Sequence, residues 1–264
     1  MNDYTTLELL WVALSVFLIG MAKGGLPVGT VALPVLVLVW PGSTEPAKEA
    51  VAFMLPVLCA ADIAAVTVYR KHILWDRLMR LFPGAVLGVA AASVVFVSRD
   101  SAMLHVPDRW LKLCIGVMGL SFIVWQAVRN FTLKQPGSPV RPGYGGSTAF
   151  GFAAGVTSTL AHLAGPVLQM YLLPQKLPKM NFPATLAGFF FALNLIKLVP
   201  FALLGRIRAD NLLMGARMIP AMLMGVGAGY LLVRALKRKH YMGFIYFVLA
   251  VTSLMLIGKA SGLI

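Results

Sequence analysis

The chain has 264 residues, of which 59% are hydrophobic and only 12% charged, and its mean hydropathy is +0.83. Several continuously apolar segments of 16 or more residues carry at most one charge, which excludes a soluble domain, argues against the alternating pattern of a β-barrel, and points to an all-α polytopic membrane protein. The net charge of +14 would suit nucleic acid on a soluble surface, but the basic residues fall in short loops between apolar runs, so the bilayer and not nucleic acid is the expected partner.

In chain order, Asp3 and Glu8 stand where a signal peptide would be basic, and no small-residue cleavage pattern follows, so the first apolar segment is expected to be retained. That segment runs from Leu7 to Ala22 and is interrupted by Lys23, Gly24, Gly25 and Pro27 before apolar character resumes from Val28 to Trp40. Further helical segments are predicted over Ala47 to Tyr69, Leu78 to Val97 and Trp110 to Val128. A polar stretch from Asn130 to Gly146, with Pro136, Pro139 and Pro142, cannot cross lipid and divides the chain. The second half predicts helices over Ser147 to Val156, Leu160 to Leu173, Phe182 to Leu204, Leu212 to Val233 and Tyr241 to Gly258. Cys59 and Cys114 sit inside apolar segments without metal-ligand spacing, so neither a metal nor a cofactor is expected.

The two halves resemble one another. Pro34 matches Pro166, Ile73-x-x-Asp76-x-Leu78 matches Ile207-x-x-Asp210-x-Leu212, and Pro83, Gly88 and Ala92 match Pro220, Gly225 and Gly229 at the same internal spacing. Residues 1–129 and 147–264 therefore read as two membrane repeats joined by a linker over 130–146. If each broken stretch crosses the bilayer once, the loop Lys and Arg residues divide ten against ten. If each goes in and returns as a hairpin, thirteen (Arg70, Lys71, Arg77, Arg80, Arg129, Lys134, Arg141, Lys176, Lys179, Arg234, Lys237, Arg238 and Lys239) face seven. Positive-inside bias thus favours two inverted repeats, each a re-entrant hairpin followed by three transmembrane helices, with basic loops and linker in the cytoplasm and both termini outside. The 16 residues of the first arm would reach about 24 Å against a core of about 30 Å, which suits an arm that turns at mid-depth.

The breaks carry the candidate binding chemistry. Gly24 and Gly25 let the backbone turn and approach a ligand, and Pro27 suits the first position of a returning helix. Thr157, Ser158 and Thr159 occupy the equivalent place in the second half and offer hydroxyl donors suited to capping. Two helix N-termini meeting from opposite membrane sides would present backbone N–H groups and positive dipole ends to one anion. Four ionisable residues lie in or beside apolar segments: Lys23, Asp62, His162 and Lys197. Lys23 is expected to attract the anion, Lys197 with Asn194 to bind it, Asp62 to carry a proton or balance charge, and His162 to donate to the anion or carry a proton. The purely structural alternatives, snorkelling or packing, stand beside each of these. Arg217 is read as a snorkelling anchor near a helix end.

The Gly-rich hairpin ending in Pro34, the Tyr-Arg-Lys-x-Ile-x-Trp-Asp loop from Tyr69 to Asp76, the Pro-Gly-x-x-x-Gly that follows at Pro83 to Gly88, and the repetition in the second half together resemble the TauE/SafE family. The resemblance covers nearly the whole chain and implies a secondary transporter, an exporter of sulfite or organosulfonates, in a bacterial-type inner membrane. At the second break the chain departs from the family's glycine-rich pattern, with Gly155-Val-Thr-Ser-Thr-Leu-Ala-His162 before Gly165-Pro166, so the anion itself is left open. An enzyme is disfavoured: no HExxH, GxSxG or paired carboxylates occur, no residue is assigned a catalytic role, and no nucleotide-binding motif suggests ATP as the driving force. An anion channel or a non-transporting scaffold is the alternative class, and the oligomeric state, a homodimer included, is open.

Overall fold

The computed structural model describes residues 6–26, 28, 46–97, 113, 116–117, 120–121, 123–124, 127–128, 141–161, 164–203 and 209–261. Every regular element among them is helical: α1 (Thr6–Lys23), α2 (Pro46–Tyr69), α3 (Trp75–Val97), α4 (Tyr144–Ala161), α5 (Ala164–Leu172), α6 (Asn181–Leu203), α7 (Ala209–Arg217), α8 (Ile219–Ala235) and α9 (Arg238–Ser261), with single 3₁₀ turns at Arg70–His72 and Leu173–Gln175. Thr6–Lys23, Phe53–His72 and Asn181–Val199 are each long and apolar enough to cross a membrane. Most of the return arm after Pro27 and of the linker before Arg141 lies outside the described residues, as does His162.

The first arm extends to 18 residues, about 27 Å at ~1.5 Å per residue, because Lys23 completes its last turn. This is longer than the sequence reading and within the reach of a span. In the second half α4 begins at Tyr144 and runs unbroken to Ala161. The predicted break at Thr157–Thr159 is therefore helical. The hydroxyls of Thr157 and Thr159 bond back to the carbonyls of Ala153 and Gly155 at 2.7 and 2.8 Å, so they continue the helix instead of capping a new one. The next described helix, α5, begins at Ala164 with Gly165-Pro166 in its first turn, where a missing N–H leaves no bond unmade. The single segment predicted from Leu212 to Val233 is divided at Met218, where the Met218 N–H reaches both Met214 and Gly215 carbonyls and Pro220 stands in the first turn of α8.

The chain forms two compact units, each drawing on both halves of the sequence. One comprises Met1–Leu74 and Lys179–Lys237, the other Trp75–Pro178 and Arg238–Ile264. In the first, α1 packs on α8, and α2 packs on α6. The α1–α8 contact is built on glycine: Gly20 and Gly24 face Gly225 and Gly229, and a Cβ on Gly24 would lie 2.9 Å from the Gly229 Cα and against the Val226 carbonyl. In the second unit α3 packs on α4 by the same device, with Gly84 and Gly88 facing Gly151 and Gly155, where a Cβ on Gly155 would lie 3.1 Å from the Gly88 Cα. Without a hydrophobic force between helices in lipid, such small-residue crossings let backbones approach closely enough for dispersion to hold them. Large apolar side chains such as Leu10, Ile63, Val199 and Leu231 point outward, as lipid contact requires.

Candidate functional site

The end of α1 is set by its backbone. The Gly25 N–H bonds to the Ala22 carbonyl at 3.1 Å and the Leu26 N–H to the Met21 carbonyl at 3.2 Å, while Gly25 has φ of 108°. This is a Schellman termination, with glycine at the left-handed position that side chains disfavour. One further end carbonyl, that of Gly24, accepts a 2.7 Å hydrogen bond from the hydroxyl of buried Tyr69 at the end of α2. Tyr69 in turn meets Tyr230 edge-on, ring centroids 5.4 Å apart. The chain turn is thus tied to α2 immediately after Lys23.

Lys23 leads back along α1 to a carboxylate on that same helix α2. Its Nζ lies 2.6 Å from Oδ1 of Asp62, and 4.5 Å from the centroid of Phe190, which adds a cation–π contact. The other oxygen of Asp62 accepts a 2.6 Å bond from Nδ2 of Asn194. Phe190, Asn194 and Lys197 follow one another on α6 at spacings of four and three residues, which places them on one helical face. Asp62 and Lys197 are fully buried, and Asn194 is nearly so. The charge of Lys197 acts on those of Lys23 and Asp62, and the thiol of Cys59, one turn before Asp62, lies in the same field.

Ionisable groups held at membrane depth are costly and mark substrate or ion pathways. Asp62 pairs with Lys23, accepts from Asn194 and acts on the charge of Lys197, so the cluster gathers cationic side chains of the kind that would receive an anion.

Five of the sequence-selected residues, Lys23, Gly24, Asp62, Asn194 and Lys197, belong to this one assembly, and Gly25 forms its turn. The detail differs from the sequence reading. Asp62 faces Lys23, and the Asn194 amide is engaged by Asp62 instead of being held free beside Lys197. Thr157, Ser158 and Thr159 are buried in the second unit. Tyr69 entered the sequence reading only as the first residue of the loop motif from Tyr69 to Asp76 and was given no role in the site. The Lys23–Asp62 pair had a signal in the scarcity of opposite charges within apolar segments, but their separation along the chain hid it.

A family model for the sulfite exporter TauE/SafE matches residues 12–256, so it includes every residue of the cluster. The chain belongs to the TauE/SafE family. No curated protein and no solved structure matches it. As a TauE/SafE member with helices of spanning length, it is an integral membrane protein of a transporter family and not of an enzyme family.

Proposed function

We propose that this TauE/SafE chain is a secondary transporter that exports a small sulfur-containing anion, sulfite or an organosulfonate, and that the Lys23–Asp62–Asn194–Lys197 cluster is part of its substrate site. One observation carries this reading: the buried carboxylate of Asp62 pairs with Lys23 and accepts from Asn194, three residues before the buried Lys197, among helices long enough to cross a membrane. Family membership supplies the chemical class of the cargo.

In this proposal the two halves are inverted repeats around a midplane site, and alternating access moves the anion. The sequence correspondence of the halves and the repeated glycine crossing, α1 on α8 and α4 on α3, support it. Gly24 and Gly25 supply close backbone approach at the first break, and Thr157, Ser158 and Thr159 of α4, with His162 next in sequence after that helix, supply further polar groups. The basic loops face the cytoplasm of an inner membrane, as their charge bias directs.

Uptake of radiolabelled sulfite into proteoliposomes tests the proposal. Wild-type protein is expected to give saturable flux, while Lys197→Met and Asp62→Asn proteins of normal abundance lose most of it. Unchanged flux in both variants would remove the cluster from the site, and flux that rises linearly with concentration would indicate a pore.

A further inference from the structure

Two helices of the second unit begin side by side. A Cβ on Gly84 of α3 would meet the backbone of Thr148 and Phe152 on α4, and one on Gly88, a turn later, would meet that of Phe152 and Val156. Contacts that advance together along both helices make α3 and α4 parallel, so their first turns lie at the same end. Arg80 of α3 fixes these ends as neighbours, since its guanidinium lies 4.6 Å from the ring centroid of Tyr144, the first residue of α4. Both positive dipole ends thus point the same way, and the exposed Gly145 and Gly146 stand in the first turn of α4, where backbone N–H groups have no acceptor within the helix.

Arg77, the third residue of α3, is the second observation. Its side chain is only 5% exposed, and among the described residues its one ion pair is with exposed Asp76, at 3.5 Å, while its Nε makes no hydrogen bond. A buried guanidinium normally spends its donors. Arg77 precedes Gly84 by two helical turns, which places it on the face that meets α4, and helical side chains lean toward the N-terminus. Arg80 is its neighbour three residues on, and exposed Arg141 precedes α4.

We infer that the paired N-termini of α3 and α4, with Arg77 and Arg80, form a binding site for a phosphate group. The guanidinium forks match two of its oxygens, and the N–H groups of α4 serve the others. A phospholipid headgroup and free phosphate both present this chemistry. Trp75, Met79 and Tyr144 are exposed beside the arginines, and aromatic rings of this kind sit at headgroup level, which favours the lipid. The lysine cluster belongs to the other unit and plays no part in this inference.

Purified full-length protein in a neutral detergent is titrated with short-chain phosphatidylglycerol and, separately, with inorganic phosphate, and its unfolding temperature is followed. Wild type should be stabilised saturably by phosphatidylglycerol. Arg77→Gln should raise the midpoint concentration by about tenfold or more, through loss of a charge-assisted contact. Arg234→Gln, which removes an exposed charge at the end of α8, should leave it unchanged. Stabilisation by phosphatidylglycerol alone supports the site with a lipid as its ligand, and an equal effect of inorganic phosphate supports it with the free anion. No saturable stabilisation by either would overturn the inference, as would the same midpoint in wild type and Arg77→Gln or an equal rise in Arg234→Gln. Should Arg77→Gln fail to fold, Arg80→Gln decides in its place: a raised midpoint supports the site and an unchanged one overturns it.

Discussion

Lys23 and Asp62 form an ion pair, Nζ to Oδ1 at 2.6 Å, in which the carboxylate is fully buried and the lysine side chain 10% exposed, between the last turn of α1 and the later part of α2. Tyr69, seven residues after Asp62, fastens the next residue of α1 by its carbonyl. The same two helices are therefore joined twice, once by charge and once by a neutral hydrogen bond, at successive residues just before the left-handed Gly25.

Loss of one partner of that pair should be costly, because it leaves the other charge buried alone. Asp62→Asn is expected to destabilise by about 3–5 kcal/mol and Lys23→Met by a comparable amount, whereas the double variant should lose much less than the two combined. Thermal unfolding in detergent of the four proteins closes the cycle. Strict additivity would show that the pair is not coupled.

Two glycines on one helix provide a test of the α1–α8 crossing. A Cβ on Gly229 would meet the Met21 carbonyl and lie 3.0 Å from the Gly24 Cα, while one on Gly227 meets nothing within 4 Å. Gly229→Ala should cost about 1–3 kcal/mol through overpacking. Gly227→Ala should be neutral or gain up to about 1 kcal/mol from helix propensity. Equal unfolding temperatures for the two variants would contradict the close approach of these helices.

The neutral fastening has its own expected signature. Tyr69→Phe keeps the ring against Tyr230 but leaves the buried Gly24 carbonyl without its donor, at about 1–3 kcal/mol. Gly25→Ala should cost more, since it adds the strain of φ 108° to a Cβ 2.8 Å from both the Pro183 Cβ and the Tyr69 hydroxyl. Chemical denaturation reads both, and a Tyr69→Phe protein as stable as wild type would show that water or another group replaces the hydroxyl.

Most of the helical plan was legible in the sequence, because apolar runs of spanning length leave few alternatives. The first break was legible for the same reason: Lys23-Gly-Gly interrupts a run that would otherwise continue, and the left-handed Gly25 is what a glycine pair permits. The break expected at Thr157–Thr159 is continuous helix. Thr157–Thr159 looked like a polar interruption, but hydroxyls that bond to carbonyls four residues back are compatible with a continuous helix, and residue type alone does not reveal where a hydroxyl will donate. The Lys23–Asp62 contact was beyond pattern reading, because a lysine that reaches from the end of one helix to the middle of another follows the periodicity of neither.

The hydroxyls of the second unit define a further test. Thr157 and Thr159 donate within α4, so a role toward the substrate requires each to rotate from its carbonyl to the anion. Thr157→Val and Thr159→Val are expected to weaken sulfite affinity by about three- to tenfold each, the value of one exchanged hydrogen bond, with little change in unfolding temperature. Affinities unchanged in equally stable proteins would assign both hydroxyls to the helix alone.

The central claim, that the buried lysine–carboxylate cluster binds the transported anion, is tested most directly by ligand-dependent stability. A ligand that binds only the folded protein stabilises it by about 2.7 kcal/mol at a hundredfold excess over its dissociation constant. Sulfite should raise the unfolding temperature of wild-type protein in a saturable manner. Lys197→Met should shift the midpoint concentration upward at least tenfold, through loss of a charge-assisted contact. An identical sulfite titration in wild type and Lys197→Met would contradict the account.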